Sequence, residues 1–327
     1  MSEVIDMCKV VIDGMDKAIP DERKIALYPS SASIMTEDGV IGDCLRKQYW
    51  YMKGEERTNP FSTDGLMKMR LGDMLHEFVV EQTKKCGIWA ADEQRMWDPR
   101  FQLSGRIDLY AWHNEDIIPI EIKSVAGYYG AQGVIKAKRG ETPMPKIDHV
   151  LQLLTYLDHY ERFPVGDTNM PYGLLFYISR DFGERRQHVI RLQKKMNGEE
   201  QVYEAVGDGK EPIPVSYVVI NGIPHEHINN VGLYSRWVAL KTHVDSSVLP
   251  ERDFELQYSE NKLKIMLDRK ELNKADSTDV VNGRMPRKGK GDWRCTYCPY
   301  LNKCWKGIKP IDLFNGSADK TTPYLED

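Results

Sequence analysis

The chain has 327 residues, 41% hydrophobic and 29% charged, with 45 basic and 49 acidic side chains and a net charge of −4. That length suits one elaborated α/β core or two modest ones, and the charged fraction excludes wholesale disorder. Taken alone, the balance argues against a general nucleic-acid-binding protein, no apolar run reaches the roughly 18 residues of a membrane helix, and the opening MSEVIDMCKVVIDGMDKAIP lacks the pattern of a signal peptide, so a cytoplasmic protein with no membrane partner is expected.

Residues 1–29 read as an N-terminal extension holding one short helix, 30–309 as a single domain and 310–327 as an irregular tail. A helix is expected around 39–53, carrying Cys44. Ser62-Thr63-Asp64 offers N-caps for a second helix ending near Gly87, with Leu71, Leu75, Phe78 and Val79 as its apolar stripe and His76 beside them. Residues 100–125 change to a period of two and predict a core hairpin. Residues 126–148 read as an inserted loop, and 149–162 as a helix. Two strands follow, within 171–180 and 187–193. Residues 226–245 and 254–275 read as helical, and 276–292 as a loop before a cluster segment at 293–306.

The hairpin carries the first chemical signal. If HNED at 113–116 is its loop, Trp112 faces Ile117, and the same register sets Asp108 across from Glu121. Arg106, Asp108 and Tyr110 share one face; Glu121 and Lys123 share theirs, with Ile118, Ile120 and Ile122 opposite. Opposed carboxylates lie about 4.5–5.5 Å apart at Cβ and repel. A hard divalent ion, Mg²⁺ or Mn²⁺, relieves that repulsion, and Lys123 can hold or activate a water bound to it. A one-residue slip of register would separate the pair.

With GRID at 105–108 and EIK at 121–123, the chain resembles the PD-(D/E)xK nuclease superfamily, in its RecB-like branch. Ile107 stands where a proline is usual, as is common in that branch. GDMLHEFV with His76, the pair Gln152 and Tyr156 in HVLQLLTYL, and PYGLLFYISRD match in the same order. The resemblance implies a restriction-endonuclease-like core, a mixed central sheet flanked by helices. It implies His76, Asp108, Glu121 and the Ile122 carbonyl as metal ligands. It assigns Asp108, Glu121 and Lys123 to catalysis, and Gln152 and Tyr156 to substrate contact or support of the lysine. An imidazole ligand shifts the preference somewhat toward Mn²⁺.

Cys295, Cys298 and Cys304 form C-x2-C-x5-C, which lacks the second CxxC of a zinc ribbon and needs a fourth ligand. Cys44 is the first candidate, with Cys8 and Cys86 behind it. One distant N-terminal cysteine with this C-terminal cluster resembles the iron–sulfur nucleases of the RecB-like branch, among them the CRISPR-associated iron–sulfur exonucleases and the AddB nuclease domain. That implies a [4Fe–4S] cluster on Cys44, Cys295, Cys298 and Cys304, with Zn²⁺ as the alternative. The cluster is expected to clasp N- and C-terminal helical regions across about 250 residues of chain.

Residues 282–309 hold eight basic residues and one acid, a local charge of +7 that leaves −11 elsewhere. Arg287, Lys288, Lys290 and Arg294 there, and Tyr128, Tyr129, Lys136, Lys138 and Arg139 in the inserted loop, are the expected nucleic-acid contacts. The expected function is a metal-dependent DNA nuclease, an exonuclease on single-stranded DNA or DNA ends. The alternative is a DNA-end-binding partner beside a helicase, or in a recombination or CRISPR adaptation complex, with catalysis secondary or absent.

Overall fold

The alternating pattern of residues 103–125 folds as the expected hairpin at the centre of an α/β structure. A computed structural model describes residues 26–59, 63–137, 140–159, 172–207, 211–284, 286 and 291–305. In chain order the main elements are β1 (Ser33–Thr36), β2 (Gly39–Gly42), α1 (Leu45–Met52), α2 (Thr63–Lys85), β3 (Trp89–Asp98), β4 (Leu103–His113), β5 (Asp116–Val125), α3 (Gly127–Ala131) and α4 (Ile147–Asp158). They continue with β6 (Gly173–Ser179), β7 (Arg185–Lys194), β8 (Ser216–Ile220), β9 (Ile223–Asn229), α5 (Asn230–Ser246), α6 (Glu260–Asp268), α7 (Lys274–Val281), α8 (Trp293–Thr296) and α9 (Leu301–Cys304). Two-residue strands fill the connection between β7 and β8. The chain divides into two compact units. One holds the described residues of 1–43 and 62–247, the other those of 44–61 and 248–327.

The first unit is built on a mixed seven-stranded sheet in the order β9-β8-β7-β6-β5-β4-β3, flanked by helices. Only β5 and β6 are parallel. A parallel pair needs a crossover, and α4 lies in it. On one face of this pair, α4 packs over Glu121, Leu175 and Tyr177: Leu153 sits where a Cβ on Gly173 would come within 3.1 Å, and the Lys146 N–H donates to the Tyr177 hydroxyl at 3.1 Å. On the other face, Leu75, Phe78 and Val79 of α2 stand across a cavity of about 650 Å³ from Phe176 and Ile178. The core comprises Leu103, Ile107, Leu109, Ile118, Ile122, Val150, Leu151, Leu153, Leu154 and Leu175, all nearly inaccessible.

Several boundaries differ from expectation. The hairpin keeps its register, but His113 pairs with Asp116, so the turn is Asn114-Glu115, with Asn114 left-handed at φ +56°. Residues 39–42 are a strand, and the helix starts only after Cys44, its N-cap. The region 254–275 splits into α6 and the start of α7, which runs on into the expected loop; Lys270 at φ +58° separates them. Residues 226–229 end β9 and precede α5. On α2, Leu71 and Phe78 are 44% and 51% exposed, so the apolar stripe is only partly covered. The second helix does end as read, with Gly87 at φ +71°. The expected N-terminal helix and the C-terminal tail lie outside the described residues. Among those residues, no helix is long and apolar enough to cross a membrane.

In the second unit, residues 44–59 fold onto the C-terminal segment. The Leu45 N–H donates to the Asp253 carboxylate at 2.6 Å, and the Thr58 and Asn59 N–H groups both donate to the Pro299 carbonyl at 2.9 Å. Trp50 packs on the buried ring of Tyr300, with centroids 5.7 Å apart.

Candidate active site

The β4–β5 ladder runs without a break from His113↔Asp116 to Leu109↔Ile120 and ends one step before Asp108 would face Glu121. There the Asp108 side chain replaces the backbone: its Oδ2 accepts the Ile122 N–H at 2.8 Å. From that point β5 pairs with β6. The two carboxylates therefore stand at a fork between strands. Such a fork opens sheet interior that a continuous ladder would close.

Glu121 is 2% exposed. Its Oε1 accepts from Lys123 Nζ at 2.8 Å and from Gln152 Nε2 at 2.7 Å, while Lys123 also donates to Gln152 Oε1 at 2.8 Å. This closed triangle joins β5 to α4 and fixes which way the Gln152 amide points. Glu121 Oε2 is buried and has no hydrogen-bond partner among the described residues. A lone buried carboxylate oxygen is costly to leave unmet. His76, on α2, brings Nδ1 to 3.6 Å from Asp108 Oδ1.

Tyr156 lies one helical turn from Gln152 and is 2% exposed. Its hydroxyl donates to the Arg106 carbonyl at 2.8 Å and accepts the Arg106 N–H at 3.3 Å, pinning α4 to the strand two residues before Asp108. Gly105 permits this approach: a Cβ there would lie 2.8 Å from the Tyr156 ring, 2.8 Å from Met96 and 3.0 Å from Pro29. Behind Lys123, Tyr177 is its neighbour in the parallel ladder, and His149 Nδ1 lies 2.7 Å from the Tyr177 hydroxyl.

The electrostatics follow from burial and proximity. Burial first, then the charge of Asp108, pushes Glu121 up to about 7. Burial pulls Lys123 down, but Glu121 and Asp108 outweigh it and hold the ammonium above its ordinary value. Burial also pulls His76 down, and its hydrogen bond and charge interaction with Asp108 leave it raised. Burial, helped by the charges of Lys123 and Lys146, drives His149 down to about 2, so that imidazole is neutral. Burial raises Tyr156 well above the usual phenol range and keeps it a neutral donor.

All six residues expected in the active centre, His76, Asp108, Glu121, Lys123, Gln152 and Tyr156, thus adjoin one fork in the sheet. The Ile122 backbone lies within it, its N–H engaged by Asp108. Among the described residues, no three His, Cys, Asp or Glu side chains converge closely enough as they stand to hold a metal ion. The donor chemistry at the fork fits a hard cation: two carboxylates under mutual repulsion, an imidazole beside them, and one buried oxygen without a partner. His149 and Tyr177, the second layer behind Lys123, were missed in the sequence. Their only signal is that Tyr177 shares the strand face of Leu175.

The four expected cluster cysteines all lie in the second unit. Cys44 caps α1, Cys295 is in α8, Cys304 ends α9, and Cys298 lies between. Burial raises the Cys295 thiol, and the neighbouring Cys44, Asp292, Cys304 and Cys298 raise it further, so the thiols are close enough to interact. The Tyr300 N–H points at Cys298 Sγ at 3.4 Å, and Arg46 Nη1 lies 3.9 Å from Cys304 Sγ. Cys86 is exposed in the other unit, and Cys8 lies outside the described residues.

The expected nucleic-acid contacts are less well defined. Lys136 is paired with Glu184 at 2.6 Å, and the Arg294 guanidinium lies over the rings of Phe254 and Trp293 at 5.0 and 4.9 Å. Tyr128 is 64% exposed. Lys138, Arg139, Arg287, Lys288, Lys290 and the side chain of Tyr129 lie outside the described residues.

No family model matches the chain, and no curated protein matches it. Among solved structures, it is similar to the crystal structure of SSO0001 at 16% identity and a TM-score of 0.33, over 56% of this chain and 76% of that one. A likeness of that degree carries no argument about function.

Proposed function

We propose that the protein is a divalent-metal-dependent DNA nuclease with a restriction-endonuclease-like core, hydrolysing phosphodiester bonds at the β4–β5 fork and acting on single-stranded DNA or DNA ends. The observation that carries this reading is the buried Glu121–Lys123–Gln152 triangle beside Asp108, with Glu121 Oε2 left unmet. Asp108, Glu121, His76 and the Ile122 carbonyl would hold Mg²⁺ or Mn²⁺. Such an ion lowers the pKa of a bound water and stabilises charge on the phosphate.

The chain's own residues supply the rest. Lys123 remains an ammonium, because its two carboxylate neighbours outweigh its burial. It therefore suits holding a water or a phosphate oxygen better than removing a proton. Gln152 restrains Lys123 from swinging, and Tyr156 holds the strand that presents Asp108. In the second unit, Cys44, Cys295, Cys298 and Cys304 would hold a [4Fe–4S] cluster or Zn²⁺; the N–H groups aimed at Cys298 and Cys304 are the donors that thiolate sulfurs attract. The role is a structural clasp, since the same segments already bond through Asp253 and Pro299.

The test is cleavage of end-labelled single-stranded DNA with Mn²⁺ by the wild type and by Glu121→Ala. Cleavage that needs both the ion and Glu121 is expected. No ion-dependent cleavage by the wild type, with DNA binding retained, would sink the nuclease reading in favour of an end-binding role.

A further inference from the structure

The β3–β4 ladder has two unlike faces. On one, Met96, Asp98, Leu103, Gly105 and Ile107 are buried. On the other, Arg95 and Trp97 of β3 alternate with them, in register with Arg106 and Ser104, which lead on to Asp108. Glu93, Arg95 and Arg106 are exposed, and Trp97 is 52% exposed. Trp97 pairs with Ser104 and Arg95 with Arg106, so a tryptophan and two guanidinium groups occupy successive same-face positions. From Ser104 to Asp108 is four strand residues, about 13 Å at the usual rise. β3 is an outer strand of the sheet.

A large aromatic ring in water beside two cations is poorly explained by folding. It forms no part of the core, and strand propensity alone does not call for tryptophan beside arginine on an open face. Planar rings and guanidinium groups are what an unpaired strand needs: bases stack on aromatic faces and arginine forks hold phosphates. The Arg106–Glu93 ion pair, at 3.0 Å with both side chains more than half exposed, is of a kind worth at most about 1 kcal/mol and yields readily to a phosphate. A duplex buries its base faces and has no use for Trp97.

We propose that this open face is the track for an unpaired DNA strand, with Trp97 as the platform for one base and Arg95 and Arg106 holding phosphates, so that a following phosphodiester reaches Asp108 and Glu121. This rests on the nuclease reading and adds to it a route and a reason for preferring single strands.

The experiment measures binding by the full chain of a labelled single strand and of a duplex of the same sequence, by fluorescence anisotropy in EDTA. It is followed by cleavage of the single strand in Mn²⁺. Loss of one stacked base predicts that Trp97→Ala weakens single-strand binding roughly tenfold and leaves duplex binding unchanged. Replacing Arg95 and Arg106 together by Gln should lower the slope of log K against log salt by about 1.4, two single-strand phosphate contacts. Trp112→Ala, at an equally open tryptophan of the hairpin end, should change nothing. The track is overturned if the wild type does not bind the single strand, if Trp97→Ala binds it normally, if Trp112→Ala is equally impaired, or if the salt slope is unmoved. The two readings separate cleanly. Binding that obeys these rules without cleavage in Mn²⁺ retains the track and overturns the nuclease, whereas cleavage undiminished in Trp97→Ala does the reverse.

Discussion

Gly105→Ala adds one carbon at the place where α4 meets β4, and its consequence can be worked from contacts. Gly105 lies in ordinary strand backbone, so the perturbation is purely steric. The new Cβ would lie 2.8 Å from Tyr156 Cε1, 2.8 Å from Met96 Cγ and 3.0 Å from Pro29 Cγ, all inside normal contact distance. Met96 can turn aside. The Tyr156 ring cannot do so freely, because it is buried and its hydroxyl is bonded to both the N–H and the carbonyl of Arg106. Overpacking of this kind costs about 1–3 kcal/mol, and weakening the hydroxyl bonds adds about 1 kcal/mol. A total of about 2–4 kcal/mol lowers Tm by roughly 5–15 °C for a unit of this size. The displaced tyrosine also loosens Gln152 and hence Lys123, so Mn²⁺-dependent cleavage should fall even well below Tm. Thermal melts and single-turnover cleavage at 25 °C read the two effects. Gly130→Ala, whose nearest new contact is an ordinary 3.6 Å, is the control and should not lower stability. A Gly105→Ala protein that melts with the wild type and cleaves normally would refute the claim that Tyr156 is rigidly held here.

Three further outcomes follow. His149 sits at about 2 in the folded chain and near 6.5 when unfolded, so the unfolded state takes up the extra proton first; stability is full above about 6.5 and falls with acidification by up to about 1.4 kcal/mol per pH unit. Between pH 7 and 5, His149→Gln should therefore lose about 2 kcal/mol less than the wild type in denaturant melts; parallel losses would contradict this. Glu121, raised to about 7, must shed its proton to bind an ion, so Mn²⁺ affinity by calorimetry should weaken roughly tenfold per pH unit below 7 and level off above it; affinity independent of pH would count against Glu121 as a ligand. Cys298→Ala should lose bound iron or zinc by metal analysis and melt at least about 5 °C lower, and a soluble, fully active and equally heat-stable variant would contradict the clasp.

The hairpin was legible in detail because strict alternation ties its register to one buried face; that register set Asp108 across from Glu121 with Lys123 beside it, and the resemblance carried by GRID and EIK assigned their roles. Their fork was not legible: it exists because the Asp108 carboxylate takes the Ile122 N–H, a choice no periodicity encodes. Gln152 and Tyr156 were read on a helix face opposite the leucines, yet every residue from Val150 to Tyr156 is buried. A helix in a crossover is covered on more sides than its stripe reveals. β3 went unread because its sequence WAADEQRMWD is half polar with its charges bunched at Asp92-Glu93-Gln94-Arg95, a bulge between Trp89 and Ala91 breaks its ladder, and Glu93 is left-handed at φ +52°. β9 went unread for a related reason: its Pro224-His225-Glu226-His227 is polar and mostly exposed, with only His225 half-buried, and lies at the opposite sheet edge. The basic segments show what a charge run leaves out: composition counts charges but not their neighbours, and Lys136 is engaged by Glu184 while Arg294 lies over Phe254 and Trp293.

The most direct test of the central claim is the single-turnover rate of single-stranded DNA cleavage in Mn²⁺ by the wild type and by Lys123→Gln, with binding of both measured alongside. Ion-dependent product is expected from the wild type and a rate at least roughly 10²-fold lower in the variant, the scale of losing one preorganised charge at a reacting centre, with binding little changed. A wild type that gives no ion-dependent product, or a variant that cuts as fast, would contradict it.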